Sequence, residues 1–406
     1  MSAVFCIVDP ELKDRRGHYF DYDRTVVGEA ARRGFAPVIL SHRKIEAGLK
    51  TGARTIPTFA LGIWAMNPHR QWGNSLKALP IAASFFLDLR RGTRAAGVDR
   101  DSTLFVPTSL GGHILGWALF ALTYPPNAGP RIVLMLRFQD EFYDNSLLAR
   151  LGFRLLERTA ARNRVELVTD SHRLAEDYKA LTSLRIGVVP IPHGDRRSAG
   201  SKPARSAERP LRFVALGDAR EEKGFLEILD AVRIVPTLRP EREIEFVLHA
   251  YTPGSKNVRV ALERFRERAP KNVTLVDVAL AVSDYAALLD SADVVLLPYH
   301  AEFYRSRTSG PFAEAVAAGK PVIISDGTWM AECARALGVG IVCADATPTS
   351  LAQAVVAASR EIARLEQKAR EAAGRWSAYH NPGRFMDAIL RSRFELPEFL
   401  RGARHA

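Results

Sequence analysis

With 406 residues, 47% of them hydrophobic, the chain is too long for one core and long enough for two domains of ordinary size. No apolar run reaches bilayer length, and residues 1–6 lack the basic-then-apolar pattern of a secretory signal, so a cytoplasmic protein is expected. The net charge of +12 is uneven, +11 over residues 1–205 and +1 over residues 206–406, which suggests a basic half that meets something anionic and a neutral half with another task.

The first half alternates short apolar strands near residues 4–8, 36–40, 103–106, 132–136, 166–169 and 187–190 with amphipathic helices near 22–33, 76–91, 114–122, 147–162 and 171–180. Residues 196–210 break the pattern with Ser, Gly, Pro and mixed charge, a composition that cannot bury a core, and read as a linker. The alternation restarts with strands near 211–216, 243–249, 273–276, 294–297, 322–325 and 341–343. Helices near 225–234, 258–268, 283–289, 311–318, 330–337 and 350–373 separate them, and a short last helix near 382–393 follows Asn381-Pro382-Gly383. This order predicts an α/β protein with two Rossmann-like, doubly wound parallel-sheet domains facing across a cleft. The expected boundaries are residues 1–195 on the acceptor side, 211–380 for nucleotide-sugar binding, and a tail of 381–406.

Several constellations could carry chemistry. Asp21-Tyr22-Asp23 and Asp99-Arg100-Asp101 have the Asp-x-Asp spacing of metal-dependent transferases, but one opens a helix and the other lies in a charged turn, so both read as surface features. Gly111-Gly112-His113 stands before a helix, where glycines let a ligand approach and the His113 imidazole can act as base or donor. After strand 132–136 come Arg137, Gln139, Asp140, Glu141 and Asp144; Asp140 and Glu141 suit acceptor binding or proton removal, or a plain acidic helix cap. Cys6, Cys333 and Cys343 lack metal-ligand spacing and read as buried thiols. No zinc finger, aromatic RNA-binding motif or basic heptad array is present, so nucleic acid is not expected as a partner.

The second half is more specific. Strand 211–216 runs into Gly217-Asp218-Ala219-Arg220-Glu221-Glu222-Lys223-Gly224, which puts cations in a loop above a strand end, where phosphates dock. Strand 294–297 runs into a polar loop holding Arg305, Ser306, Arg307, Thr308 and Ser309, and then into a helix starting near Gly310. The unpaired N–H groups and positive dipole end of such a helix favour a phosphate, and Glu314, one turn inside, can reach a ribose. Guanidinium groups suit a diphosphate because their donor fork is planar and always charged.

Ala292, Asp293, Pro298, Glu314, Ala315, Gly319, Lys320, Pro321, Val322 and Ile323 resemble the donor-binding segment of family 4 glycosyltransferases of the GT-B fold, of the kind that assembles bacterial glycans or glycolipids. The resemblance implies a nucleotide diphosphate sugar as donor substrate, no cofactor, no metal, retention of configuration, and a glycan, lipid-linked or other hydroxyl acceptor. Lys223 and Gly224 fall in register with the family's Lys-Gly, and Gly217 with its glycine. Asp218 stands where the family has Arg, with Arg220 offered as the replacement cation. Ser306 stands where the family has the first of two glutamates, and Glu314 is the second. Gly17 and His18 take the place of the family's glycine-rich loop, Arg137 that of its histidine near the reacting sugar, and His193 that of the Asn in Pro-Asn-Gly. The tail is implied to cross back to the first domain. The expected partners are a nucleotide sugar, the acceptor, and an anionic membrane surface contacted through residues 42–50 and 90–100, placing the protein on the inner face of the cell membrane. A nucleotide-sugar epimerase and a degraded, non-catalytic binding subunit remain alternatives on the same fold.

Overall fold

The computed structural model describes residues 2–15, 18–65, 71–139, 147–160, 163–193 and 209–401. The chain divides into two compact units, residues 1–194 with 380–396, and residues 195–379 with 397–406. In the first, β1 (Val4–Asp9), β2 (Ala36–His42), β3 (Arg54–Phe59), β4 (Thr103–Val106), β5 (Arg131–Met135), β6 (Val165–Thr169) and β7 (Ile186–Val188) form one sheet in the order β3-β2-β1-β4-β5-β6-β7. In the second, β8 (Leu211–Ala215), β9 (Ile244–His249), β10 (Val273–Val276), β11 (Val294–Leu297), β12 (Val322–Ser325) and β13 (Gly340–Cys343) follow the order β10-β9-β8-β11-β12-β13. Every pairing is parallel. The strand order of each sheet reverses beside its first strand, between β1 and β4 and between β8 and β11. Ligands of open parallel sheets bind beyond the carboxyl ends of the strands at such a switch point. Each unit has the doubly wound parallel sheet anticipated from the alternation of elements.

The inner strands are buried on both faces, which their continuous apolar runs anticipate: β4, β5 and β11 have no exposed residue. β3 was not expected. It contains Pro57, and of its six residues only Arg54 and Pro57 are exposed; proline is tolerated because β3 lies at the sheet edge. The helix expected over 350–373 is two helices, Pro348–Arg360 and Ile362–Tyr379, because Glu361 leaves helical geometry at φ −102°, ψ 11°. The helix expected from Ile114 begins three residues earlier, at Gly111, and an additional one-turn helix, Ala301–Tyr304, sits in the polar loop after β11. Among the described residues no helix is long and apolar enough to cross a membrane.

The helix Pro382–Arg391 packs on the first unit. Asn381 caps it by accepting from the Arg384 N–H at 2.9 Å, with proline at the first turn. Its Phe385, Met386 and Ile389 are buried beside Phe105 of β4 and Tyr22. Arg33 donates to Asp387 at 2.7 Å and to the Gly383 carbonyl at 2.9 Å. Arg131, buried at the start of β5, pairs with Glu166 at 2.8 Å and donates to Ser392 Oγ at 2.7 Å and to the Leu390 carbonyl. Truncating Phe385 removes a ring from the core between these contacts, so Phe385→Ala is expected to destabilise the first unit by about 3–5 kcal/mol. Equilibrium urea unfolding followed by near-ultraviolet circular dichroism checks this, and an unshifted midpoint contradicts the assignment of the tail to that core.

Candidate functional site

At the switch point of the second sheet, two loops are tied together by contacts that glycine alone allows. Gly224 adopts φ +68°, and a Cβ there would stand 2.0 Å from the carbonyl oxygen of Pro298, the residue that follows β11. The His300 N–H donates to the Glu222 carbonyl at 3.1 Å, closing the same seam. On its other side the β8 loop is held by the Ala219 N–H on the Tyr251 carbonyl at 2.8 Å, and by Glu221, which accepts from Ser255 Oγ at 2.8 Å and Asn257 Nδ2 at 3.1 Å. The loop thus becomes a fixed turn: residues Glu221–Lys223 form a single 3₁₀ turn between Arg220 and Gly224.

That turn presents its charges toward one spot. Gly217 adopts φ +86°; a Cβ there would lie 3.1 Å from Lys223 Nζ and 3.5 Å from Pro311 Cγ in the first turn of the helix Gly310–Ala317. The bare glycine, the lysine ammonium and the helix N-terminus therefore meet. Ser309 caps this helix by accepting from the Phe312 N–H at 3.3 Å, and no acidic residue lies in its first turn. Lys223 Nζ stands 5.9 Å from the centre of the buried Tyr299 ring, Tyr299 and Tyr304 are 4.6 Å apart, and the Arg307 guanidinium lies 4.9 Å over Tyr304. Burial, reinforced by the charge of Arg220, pushes the Lys223 ammonium down to about 8, with Asp218 and Glu222 pulling the other way.

Arg220 pairs with Asp218 at 3.0 Å and reaches Glu222 at 3.4 Å. Burial opposes its charge, but the hydrogen bond and charge of Asp218 outweigh it and raise the guanidinium above its ordinary pKa. Asp218 thus holds Arg220 in the loop. Glu314 is half-buried in the second turn of the helix, and Thr308 and Arg307 are half-buried before it. Ser306 is buried, whereas Glu302 and Arg305 are exposed. His249, which the sequence did not single out, is buried at the end of β9 beside the Gly217 backbone, and its Nε2–H donates to the Val278 carbonyl at 3.0 Å. Tyr299 and Tyr304 were also missed; their spacing carries no periodic signal.

In the first unit the expected residues separate. His113 is not in a ligand loop: it lies inside the helix Gly111–Leu122, buried 4.7 Å from the Phe85 ring, and burial pushes it down to about 4, so at neutral pH it is an uncharged core residue. Arg137 stands at the carboxyl end of β5, 4.3 Å over the Tyr22 ring and 3.8 Å from Asp170. Burial opposes its charge, yet Tyr22 and Asp170 outweigh it and raise its pKa. The surface reading of Asp21-Tyr22-Asp23 fails at Asp23, which is 1% exposed. Asp23 stands against Asp9 at the end of β1; burial raises both carboxyls, with the charge of Asp9 adding to it at Asp23 and that of Glu11 adding to it at Asp9. Asp99 is the turn residue expected, accepting from Ser102 Oγ at 2.6 Å. His18 opens the helix His18–Arg32. Gly17, Asp140, Glu141 and Asp144 lie outside the described residues. His193 neighbours His380, whose Nδ1 accepts from the Ile191 N–H at 3.0 Å, a structural role at the end of the unit. The three cysteines form no disulfide and are buried, and among the described residues no group of three or more His, Cys, Asp or Glu is placed to hold a metal ion.

Residues 210–361, within the second unit, match the family model of the glycosyl transferases group 1. No curated protein sequence matches the chain. Among solved structures, the sucrose-phosphate synthase of Thermosynechococcus elongatus aligns with a TM-score of 0.66 at 13% identity, covering 96% of this chain and 98% of that one. A glycosyltransferase from Rickettsia africae aligns with a TM-score of 0.65 at 14% identity, over 97% and 100% of the two chains. HepE of Anabaena, solved in complex with UDP and glucose, aligns with a TM-score of 0.63 at 12% identity, over 97% and 99%. The segment that matches the glycosyl transferases group 1 model holds the β8 and β11 loops, and the chain as a whole has the fold of the GT-B glycosyltransferases.

Proposed function

We propose that the protein is a retaining, metal-independent glycosyltransferase of the family 4 type, moving a hexosyl or related group from a nucleoside diphosphate donor to a hydroxyl of a glycan or lipid-linked acceptor. The observation that carries this reading is the meeting of Gly217, Lys223 and the N-terminal turn of Gly310–Ala317 at the switch point of the second sheet. A diphosphate fits there because it needs cations, free N–H groups and a backbone without side chains. Arg220 and Arg307 add charge, and Glu314 takes the ribose hydroxyls. As the bond from the sugar C1 to the phosphate oxygen breaks, the diphosphate gains negative charge, which these groups stabilise. The acceptor oxygen bonds to C1 on the same face, and its proton passes to the departing phosphate oxygen. The Arg220–Asp218 pair favours a working donor loop over a degraded one.

The basic charge of the first unit supports a second part of the reading, a peripheral place on an anionic cytoplasmic membrane surface during polysaccharide assembly. The helix Leu147–Ala160 exposes Leu147, Leu151, Arg150, Arg154 and Arg158 on its outer side, and the helix Gln71–Ala96 exposes Leu79, Leu87, Arg91 and Arg94. Arg43, from the basic stretch 42–50, and Arg91, from 90–100, lie 2.5 and 4.0 Å from the same Asp88 carboxylate, so the two stretches adjoin. Apolar side chains beside arginines suit the interface of an anionic bilayer.

Three outcomes test these assignments. Only protonated Lys223 attracts phosphate, and without ligand it deprotonates at about 8. Nucleoside diphosphate affinity should therefore be full below pH 8 and fall as the pH rises through it, with proton uptake on binding near that pH. Calorimetry in buffers of different ionisation enthalpy reads both, and a flat profile removes Lys223 from the site. Lys223→Ala should lose turnover by about 3 kcal/mol of barrier, with unchanged circular dichroism; unaltered turnover contradicts the role. Reversing Arg150, Arg154 and Arg158 to Glu should weaken sedimentation with acidic vesicles, each cation near the surface counting for roughly 1 kcal/mol, and binding of the parent should fade at about half-molar salt. Salt-insensitive binding, or equal binding by the variant, rules out the membrane reading.

A further inference from the structure

The carboxyl edge of the first sheet carries a second organised cluster. Trp64, in the loop after β3, is 43% exposed, yet it is held on several sides. Its Nε1–H donates to the Tyr19 hydroxyl at 3.2 Å, its backbone N–H to Glu11 Oε1 at 3.3 Å, and its ring meets Phe138 edge-on at 5.1 Å. Phe138 is itself fixed, because the Tyr178 hydroxyl donates to its carbonyl. Gly62 lets the loop close on Glu11, since a Cβ there would stand 1.9 Å from Glu11 Oε1. Trp64 comes from the β3 side of the sheet and Phe138 from the β5 side, so their contact bridges the switch point between β1 and β4.

An exposed indole locked by a hydrogen bond and an aromatic edge is pre-organised to stack on a flat apolar surface at little entropic cost. The groups around it decide what that surface belongs to. The charges that act on Tyr19 are Asp9, Glu11 and Arg137. Both cations at the cluster are already engaged, Lys13 by Glu11 at 3.1 Å and Arg137 by Asp170 and Tyr22. Burial holds the Tyr19 hydroxyl up at about 12, so it stays a neutral donor and acceptor. With its cations already matched by carboxylates, the cluster favours a ring that has both C–H faces and hydroxyls over an anion.

We propose that Trp64, with Tyr19 and Glu11, forms the acceptor subsite of the first unit and receives an uncharged pyranose ring stacked on the exposed indole. The assignment rests on the sugar-transfer reading and adds to it the class of acceptor: a neutral glycoside, not a sugar phosphate. The chain has five tryptophans, so a spectrum of the protein carrying ¹⁵N-labelled tryptophan shows few indole signals, and Trp64→Phe identifies the one that matters. Titration with methyl glycosides of glucose, galactose, mannose and N-acetylglucosamine should move the Trp64 signal for at least one of them and leave it unmoved for glucose 6-phosphate. Saturation transfer to the bound glycoside should weaken in Trp64→Ala, with affinity reduced roughly tenfold or less, as expected for one aromatic contact. UDP and GDP binding, measured separately by calorimetry, should be the same in parent and variant. A Trp64 signal unmoved by every glycoside while a nucleotide binds, or one moved more by the sugar phosphate, overturns the inference alone. Loss of nucleotide binding in the parent would instead contradict the donor assignment.

Discussion

The Pro298 carbonyl oxygen, 2.0 Å from where a Cβ at Gly224 would stand, sets the geometry of the second unit's site. Only a residue without a side chain, in the left-handed region, lets the β8 loop lie against the end of β11. Once those two loops share a seam, the switch point of the sheet is lined from both sides. Gly217 and Lys223 come from one strand end, and the Ser309-capped helix comes from the other. A larger residue at 224 would separate them without touching any group that meets a ligand.

Within that frame, charge is stored before any ligand arrives. Lys223 is kept partly buried beside Arg220 and within range of Arg307, an arrangement whose cost shows as its lowered pKa. On the proposed reading a diphosphate would relieve that cost by neutralising the cations together. The acids in the β8 loop then have an intelligible place. Asp218 steadies Arg220, and Glu221 fastens the turn to Ser255 and Asn257. On the proposed reading, what looks in the sequence like the loss of a phosphate cation at position 218 becomes a division of labour in which Arg220 carries the charge and Asp218 holds it.

Much of the fold was legible because parallel strands buried on both faces must be continuous apolar runs, and the helix over 225–234 matches its expected limits. The edge strand Arg54–Phe59 was not, since Pro57 and its open residues mimic a loop. His113 was misread because Gly-Gly before a histidine resembles a ligand loop, whereas the apolar run that follows draws all three residues into a core helix. Asp23 was misread because an Asp near a helix start is usually a cap; here the helix turns it onto the end of β1 against Asp9. The loops at the second switch point were visible because glycine, lysine and a capping serine each have a local signature. Trp64 had none, as one short turn gives no periodicity and its partners Tyr19 and Phe138 are distant in sequence.

The central claim, that a nucleoside diphosphate occupies the switch point between β8 and β11, is tested most directly by backbone amide hydrogen exchange with and without saturating UDP or GDP. The account predicts slower exchange in residues 216–224 and 306–313, the two loops and the first helical turn that would supply N–H groups to the phosphates, with β10 and β13 unchanged. Protection confined to other segments, or none in either loop while the nucleotide is bound, would contradict it.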